Sequence, residues 1–228
     1  MDFRWEIIIE YAPLLLEGTL LTIAISLASI GLGSIIGLAV AFGKMSSRWY
    51  LTYPMASFIN FFRGTPLILQ ILLVHFGLVP LFLGATNAIV AAIVALSLNS
   101  AAYTAEIYRA GIQSIDRGQR EAAQSLGMNR FQMMRYIILP QAIRRMIPAF
   151  GNEFIVLIKD SSLISIIAVP EIMYWSNAMR GEYYRVWESY LTAACIYFIL
   201  TYSLSKLLAY WERRMQDEQT GHSSPRNS

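Results

Sequence analysis

Charged residues, cysteine and histidine are all scarce in this chain of 228 residues. Asp, Glu, Lys and Arg make up 14% of the sequence, where a soluble domain has about a quarter. Hydrophobic residues make up 56%, and this imbalance indicates several membrane spans in one integral membrane domain. Cys195, the single cysteine, lies in an apolar run. A disulfide framework and a thiolate metal cluster are therefore excluded.

Signals for secretion and for enzymatic chemistry are also missing. The first residues are acidic where a secretory signal would be basic, and no small-residue cleavage site follows them. The nearest approach to a phosphate-binding loop, residues 37–44, has one residue too many between its glycines, and Met45 stands where Ser or Thr is required. With two histidines and no nucleophile elbow, we expect no catalytic residue and no metal site, so an enzyme is the least favoured class.

Five apolar runs are long enough to cross a membrane, for which ~20 residues are needed. They predict an all-α integral membrane protein with five transmembrane helices, at residues 18–43, 51–83, 87–108, 142–158 and 190–211. The second run is interrupted at residues 63–66. Residues 5–16 predict an amphipathic helix at the outer interface. We assign residues 1–214 to a transmembrane domain and residues 215–228 to a disordered cytoplasmic tail.

Positive charges set the expected orientation, because cytoplasmic loops are enriched in Lys and Arg. Lys44 and Arg48 follow the first run, Arg213 and Arg214 follow the last, and many arginines lie between residues 109 and 145. This distribution predicts an N-terminus outside and a C-terminus in the cytoplasm.

A polar element interrupts the apolar pattern within the loop at residues 109–140. Asp116 followed by Gln119 is typical of a helix start, and Gly127 suits the left-handed residue that ends a helix. Asn129 with Gln132 repeats the start signal. Pro140 is expected to interrupt the second helix at its far end.

Three interpretations of this element compete. It could simply join two spans, or it could be a DNA-binding helix-turn-helix, since Ala123 and Gly127 have the spacing of that motif's turn. DNA binding is disfavoured because the second helix is largely apolar and is held between two spans, so no nucleic acid partner is expected. The third interpretation comes from a resemblance.

The element resembles the coupling signature of ABC importer permeases. The matching residues are Glu121-Ala122-Ala123, Gly127 and Ile137-Ile138-Leu139-Pro140. Other stretches are similar to the polar amino acid uptake branch of that family, of the histidine, arginine and glutamine type: Phe62-Arg63-Gly64-Thr65-Pro66, Asn99-Ser100-Ala101-Ala102-Tyr103 and Lys159-Asp160-Ser161-Ser162-Leu163. Arg117 departs from the family pattern, in which proline is common before the coupling helix.

The resemblance implies a type I ABC importer permease fold in the cytoplasmic (inner) membrane of a prokaryote. Its implied partners are two cytoplasmic ABC ATPases that bind ATP and Mg, a second permease of the same or a homologous chain, an extracytoplasmic amino acid binding protein, an amino acid substrate and membrane lipid. This chain would hold no cofactor itself. Contact with the ATPases would be made by a coupling helix that includes Glu121, Ala122, Ala123, Leu126 and Gly127.

Polar residues within the spans are candidates for substrate binding. Asn99, Tyr103 and Glu106 share one helical face, and Asp160 with Ser161 could add a second anionic contact. Two carboxylates would suit a cationic amino acid. Alternatively, Glu106 lies at the inner surface beside Arg109, or Arg63 and Lys159 neutralise the acids.

A carrier driven by ions or protons is the main rival function. Asn99, Glu106 and Asp160 would suit such a carrier. However, it would not need the coupling signature, and five spans without an inverted repeat match it poorly.

Overall fold

In the computed structural model, which describes residues 3–220, the chain consists of helices joined by short turns, and no strand occurs in that range. The α-helices are α1 Trp5–Lys44, α2 Trp49–Gly64, α3 Leu67–Leu73, α4 Val79–Leu83, α5 Ala88–Gln113, α6 Arg117–Ser125, α7 Arg130–Met133, α8 Leu139–Asp160, α9 Ile172–Tyr183 and α10 Val186–Thr220. Two π-helical turns, Val74–Leu78 and Met134–Ile138, and a 3-10 helix, Ser161–Ile167, lie between them. The predicted all-α class is confirmed.

Helices α1, α5 and α10 are each long and apolar enough to cross a membrane. The segment Leu67–Leu83, which contains α3 and α4, bends by 110° from α2, and this pair counts as a fourth span if it crosses as one unit. Helix α8 is not among these spans, and it carries five charged residues: Arg144, Arg145, Glu153, Lys159 and Asp160. The predicted break at residues 63–66 is confirmed, whereas the count of five spans stays a prediction.

The first helix is a correction to the sequence interpretation. Residues 5–16 do not form a separate interfacial helix but continue directly into the first span as the 40-residue helix α1. Ile7, Tyr11 and Leu15 are buried in one cluster with Met179 of α9. At 1.5 Å per residue, the helix extends well beyond the ~30 Å of a hydrocarbon core.

Helices α1 and α5 pack closely where α1 has glycines. A Cβ atom at Gly33 would lie 3.0 Å from the Ser100 Cβ, and one at Gly37 would collide with the side chain of Thr104. The Thr104 hydroxyl donates to the Gly33 carbonyl over 3.0 Å. The glycines therefore serve close packing of two helices within one chain.

Both π-helical turns come two residues before a proline, Pro80 in one case and Pro140 in the other. Proline has no N–H, and its ring clashes with the carbonyl four residues earlier in a regular α-helix. Widening the preceding turn removes this clash. The expected interruption at Pro140 is therefore wrong, and helical structure continues from α7 through the turn into α8.

Helix α10 is longer than the predicted span at residues 190–211 and ends at Thr220. Residues 215–220, which were expected to begin a disordered tail, are helical. Residues 221–228 of that tail lie outside the described range.

Candidate functional site

The polar element forms a helical hairpin, α6 followed by α7, whose turn depends on one glycine. The Asp116 side chain accepts a hydrogen bond from the Gly118 N–H over 2.7 Å and caps α6. At the other end Gly127 has a φ of +75°, and the Met128 N–H reaches the Ala123 carbonyl over 3.1 Å. These are the predicted helix start and the predicted left-handed stop.

The start of α7 also follows the sequence prediction. The Gln132 N–H donates to Asn129 Oδ1 over 2.9 Å, and the Asn129 N–H donates to Gln132 Oε1 over 3.0 Å. This reciprocal pair is a capping box. It sets the direction of the second helix immediately after the glycine turn.

Four of the five predicted coupling residues face outward from the hairpin. Glu121, Ala122, Leu126 and Gly127 are exposed, whereas Ala123 is buried. Leu126 is 80% exposed and Phe131 of α7 is 70% exposed. Large apolar side chains exposed on an otherwise polar hairpin are typical of a surface that another protein covers. From the sequence, the apolar character of the second helix served only as evidence against DNA binding, and the place of Phe131 on this surface was missed.

Two arginines bond to the end of α5, one from the hairpin and one from α8. The Arg120 Nη2 donates to the Ile112 carbonyl over 2.8 Å, and the Arg145 Nη1 donates to the Ser114 carbonyl over 2.5 Å. Beneath them, an apolar cluster joins residues of α5, the π-helical turn and α8, including Ile112, Ile138 and Met146. Arg120 therefore bonds the hairpin to α5, and Arg145 bonds α8 to the end of α5.

Asn99 lies beside the break between α2 and α3. It is 7% exposed, and its Nδ2 donates to Gln70 Oε1 over 2.9 Å. The Gln70 Nε2 in turn donates to the Phe62 carbonyl over 2.8 Å and to Thr65 Oγ1 over 2.9 Å. These bonds hold the chain where the helix is interrupted. Gln70 was missed from the sequence, although a glutamine within an apolar run is itself a signal.

Glu106 is held by two cations. The Lys44 Nζ lies 2.5 Å from Oε1, and the Arg109 Nη2 lies 2.7 Å from Oε2. The proximity to Arg109 was one of the alternatives for this residue. Neither Arg63 nor Lys159 neutralises it.

A cavity of about 620 Å³ lies between α5 and α8, and its lining includes Tyr103, Glu106, Asn152, Glu153 and Arg63. The Arg63 guanidinium lies 5.4 Å from the centre of the Tyr103 ring, within reach of a cation–π interaction. The structure therefore brings Tyr103 and Glu106 together, as predicted, and adds Arg63 and Glu153.

Glu153 is a cavity residue that the sequence did not assign to substrate binding. It forms no ion pair with any residue between 3 and 220 for which a side chain is described. Glu153 lies one turn before Val156 on α8 and on the same cavity-lining face. Helical periodicity could therefore have identified it from the sequence.

Three predicted substrate residues lie outside the cavity lining: Asn99, Asp160 and Ser161. Ser161 is fully buried, and its hydroxyl donates to the Ile158 carbonyl over 2.7 Å. Asp160 is partly buried at the end of α8. It follows Glu153 by seven residues and Val156 by four, so it continues the stripe of α8 that lines the cavity. In the range 3–220, no group of three or more His, Cys, Asp or Glu residues could hold a metal ion.

Comparison with known proteins agrees with this arrangement. Residues 10–217 match the family described as binding-protein-dependent transport system inner membrane component. The chain is 38% identical over 217 residues to the glutamine transport system permease protein GlnP of Escherichia coli, covering 95% of this chain and 99% of that protein. It is 37% identical over 216 residues to the arginine transport system permease protein ArtQ of Bacillus subtilis, with the same coverage of 95% and 99%.

Solved structures give the same result for the fold. One is the crystal structure of an amino acid ABC transporter with histidines, which is 41% identical in sequence to this chain and matches its fold with a TM-score of 0.89. The match covers 94% of this chain and all of the other. An inward-facing MetNI methionine ABC transporter has a TM-score of 0.76 at 21% identity, with 90% of this chain and 97% of the other covered. The second similarity concerns the fold alone.

Proposed function

The chain belongs to the family of binding-protein-dependent transport system inner membrane components and is a permease subunit of an amino acid ABC importer, and we propose that it moves polar, preferentially cationic, amino acids by ATP-driven alternating access. The observation that carries this proposal is the cavity between α5 and α8, whose lining includes Ser114 and Arg145, the pair that joins α8 to the end of α5 just before the hairpin. A substrate site and a site of mechanical input share the same two helices.

The hairpin is the proposed contact for a partner ATPase. Exposed Leu126 and Phe131 would enter a groove of that subunit, with Glu121 at the rim beside Arg117. Because Arg120 and Arg145 bond to the end of α5, movement of the hairpin would be transmitted to both walls of the cavity. ATP and Mg would be bound and hydrolysed by two such cytoplasmic subunits, and this chain would hold no cofactor.

Charge in the cavity supports a zwitterionic substrate with a cationic side chain. Arg63 can receive the α-carboxylate while stacked on Tyr103. Glu153 in the cavity lining and Asp160 beyond it form no ion pair with any side chain described between residues 3 and 214. They lie along one stripe of α8 and would offer negative charge to the substrate. Glu106 already pairs with Lys44 and Arg109, so its negative charge would contribute less to binding a cationic side chain. Asn99 and Ser161 would support the walls of the site.

Alternating access would be a population shift between an inward-open and an outward-open state. A second permease, the same or a homologous chain, would complete the pathway, and an extracytoplasmic binding protein would deliver the amino acid. We place the complex in the inner membrane of a prokaryote, with the N-terminus outside and the C-terminus in the cytoplasm, on the basis of the arginine-rich loops.

The proposal is tested by uptake into vesicles that contain the complete complex. With ATP inside, labelled arginine and glutamine should both accumulate, and Glu153→Gln should raise the KM for arginine at least tenfold while changing that for glutamine less. Asn152→Gln, a neutral change in the same cavity, is the matched control. Uptake that persists without ATP would reject the importer mechanism, and equal effects on both substrates would reject the cationic preference.

A further inference from the structure

A second cavity of about 640 Å³ lies between α8 and α10, apart from the one between α5 and α8. We call it the α8–α10 groove. Its lining residues are apolar except for one, and they are Ile147, Phe150, Gly151, Leu204, Leu207, Leu208, Trp211 and Arg214. On α8 these residues occupy a different face from Asn152, Glu153 and Val156, so the groove is not part of the proposed substrate path.

Gly151 and Leu208 determine how closely the two helices approach. A Cβ atom at Gly151 would lie 2.5 Å from the Leu208 Cδ1, so α10 sits against the backbone of α8 at this point. At the other end of α8, the side chain of Tyr197 lies beside Ser161. Residue numbers therefore rise along α10 as they fall along α8, and the two helices are antiparallel.

The antiparallel arrangement brings two arginines to the same end of the groove. Arg214 lines it directly. Arg144 lies three residues before Ile147 and seven before Gly151, on the same stripe of α8. Both arginines are exposed, and neither forms an ion pair with a side chain described between residues 3 and 214.

The membrane placement proposed above puts α10, a candidate span, within the bilayer. In the most apolar stretch of α10, 6% of the residues are fully buried within the chain, and many of the others face outward. Lipid chains supply apolar contact to such a face, and anionic head groups bind to basic pockets between transmembrane helices. An apolar groove that ends in these two guanidinium groups matches both the apolar chain and the anionic head group of one lipid.

We propose that the α8–α10 groove binds an anionic phospholipid, with an acyl chain along the leucines and Trp211 and the phosphate between Arg144 and Arg214. A second permease would be a poorer occupant. Across a two-fold axis along the membrane normal it would present its own basic helix ends at this depth, and these would not complement Arg144 and Arg214.

The proposal rests on the membrane placement given above and is tested on the purified complete transporter by native mass spectrometry. After removal of endogenous lipid, phosphatidylglycerol or phosphatidylcholine is added and the bound lipid is counted. We expect the wild type to retain phosphatidylglycerol at least tenfold better than the double variant R144Q/R214Q, with no difference for phosphatidylcholine. Arg213→Gln removes the same charge from the same turn but from a residue outside the groove lining, and it should retain lipid normally.

A second variant tests the apolar part of the groove. Leu207→Trp, at a lining residue that is 54% exposed, should fill the groove and lower retention of both lipids while leaving every charge in place. Equal phosphatidylglycerol retention by the wild type and R144Q/R214Q would overturn the proposal. Loss of permease pairing in R144Q/R214Q without loss of lipid would also overturn it, since a second copy would then cover the groove. ATP-driven uptake by the wild type, measured separately, distinguishes failure of this proposal from failure of the transport function.

Discussion

The side-chain amide of Asn99 donates to the side-chain oxygen of Gln70 over 2.9 Å, joining the middle of α5 to the helix break after α2. Both residues are buried, with exposures of 7% and 2%. The bond fixes the position from which Arg63 reaches over Tyr103. Asn99, which the sequence suggested as a substrate contact, thus supports the backbone that positions Arg63, another candidate for substrate binding.

Replacing Asn99 with leucine should lower stability, because the amide oxygen of Gln70 would be left buried without its donor. The cost of such an unsatisfied group is ~1–3 kcal/mol. Thermal unfolding of the purified protein measures this loss, and the double variant with Gln70→Leu should cost less than the two single losses combined. If Asn99→Leu leaves the unfolding temperature unchanged but raises the KM for uptake, Asn99 contacts substrate instead.

Gly127→Val should impair coupling without removing the protein from the membrane. Space is not the obstacle, since no atom lies within 4 Å of the position that a Cβ would take there, but the φ of +75° is unfavourable for a branched side chain. A left-handed residue other than glycine costs ~1–2 kcal/mol, enough to shift the hairpin turn. ATP-driven uptake, normalised to the amount of permease in the membrane, should fall severalfold. Gly181→Val, which also has open space but an ordinary φ, should transport normally, and equal behaviour of the two variants would contradict this account.

Leu126→Asp should release the ATPase while leaving the permease folded. The side chain is 80% exposed, so the fold loses little burial, whereas an apolar groove on the partner would receive a charge. The measurement is the amount of ATPase that copurifies with the permease, and we expect a loss of at least tenfold. Tyr184→Asp, at an 86% exposed residue far from the hairpin, is the control. Normal copurification by Leu126→Asp would exclude this residue from the interface.

Glu106→Gln should destabilise the protein, because it leaves Lys44 and Arg109 without their shared carboxylate. These side chains are partly exposed, which screens the loss, so we expect ~1–2 kcal/mol. Adding Lys44→Met should recover part of the unfolding temperature. Recovery of stability without recovery of arginine uptake would assign Glu106 a role with substrate, and recovery of both would assign it to the ion-pair cluster alone.

Much of the local structure could be predicted from the sequence. The helix break at Arg63-Gly64-Thr65-Pro66, the left-handed turn at Gly127 and the capping box of Asn129 and Gln132 depend on residues that are neighbours in the chain. Local sterics and local hydrogen bonds decide such features, so a short stretch of sequence contains their whole cause.

Contacts between distant residues required the structure. Whether Asn99 meets a substrate or Gln70, and whether Glu106 is free or paired with Lys44, depends on how α5 lies against α1 and the helix break. Apolar periodicity shows which face of a helix is buried but not which residue of another helix is opposite it.

The sequence by itself therefore determined the class of the protein, its apolar helices, the polar hairpin and the family. Composition and short motifs are sufficient for these, because hydrocarbon requires helices with satisfied backbones and the hairpin signature is local. Only the tertiary structure decided that α1 is one continuous helix, that Pro140 is absorbed by a π-helical turn, and that Arg63 and Glu153 share a cavity with Tyr103. The first and the last of these depend on packing between segments far apart in the chain, where the energetic gain arises from partners that no single segment contains, and the π-helical turn is a local alternative to a helix break that the sequence pattern does not distinguish.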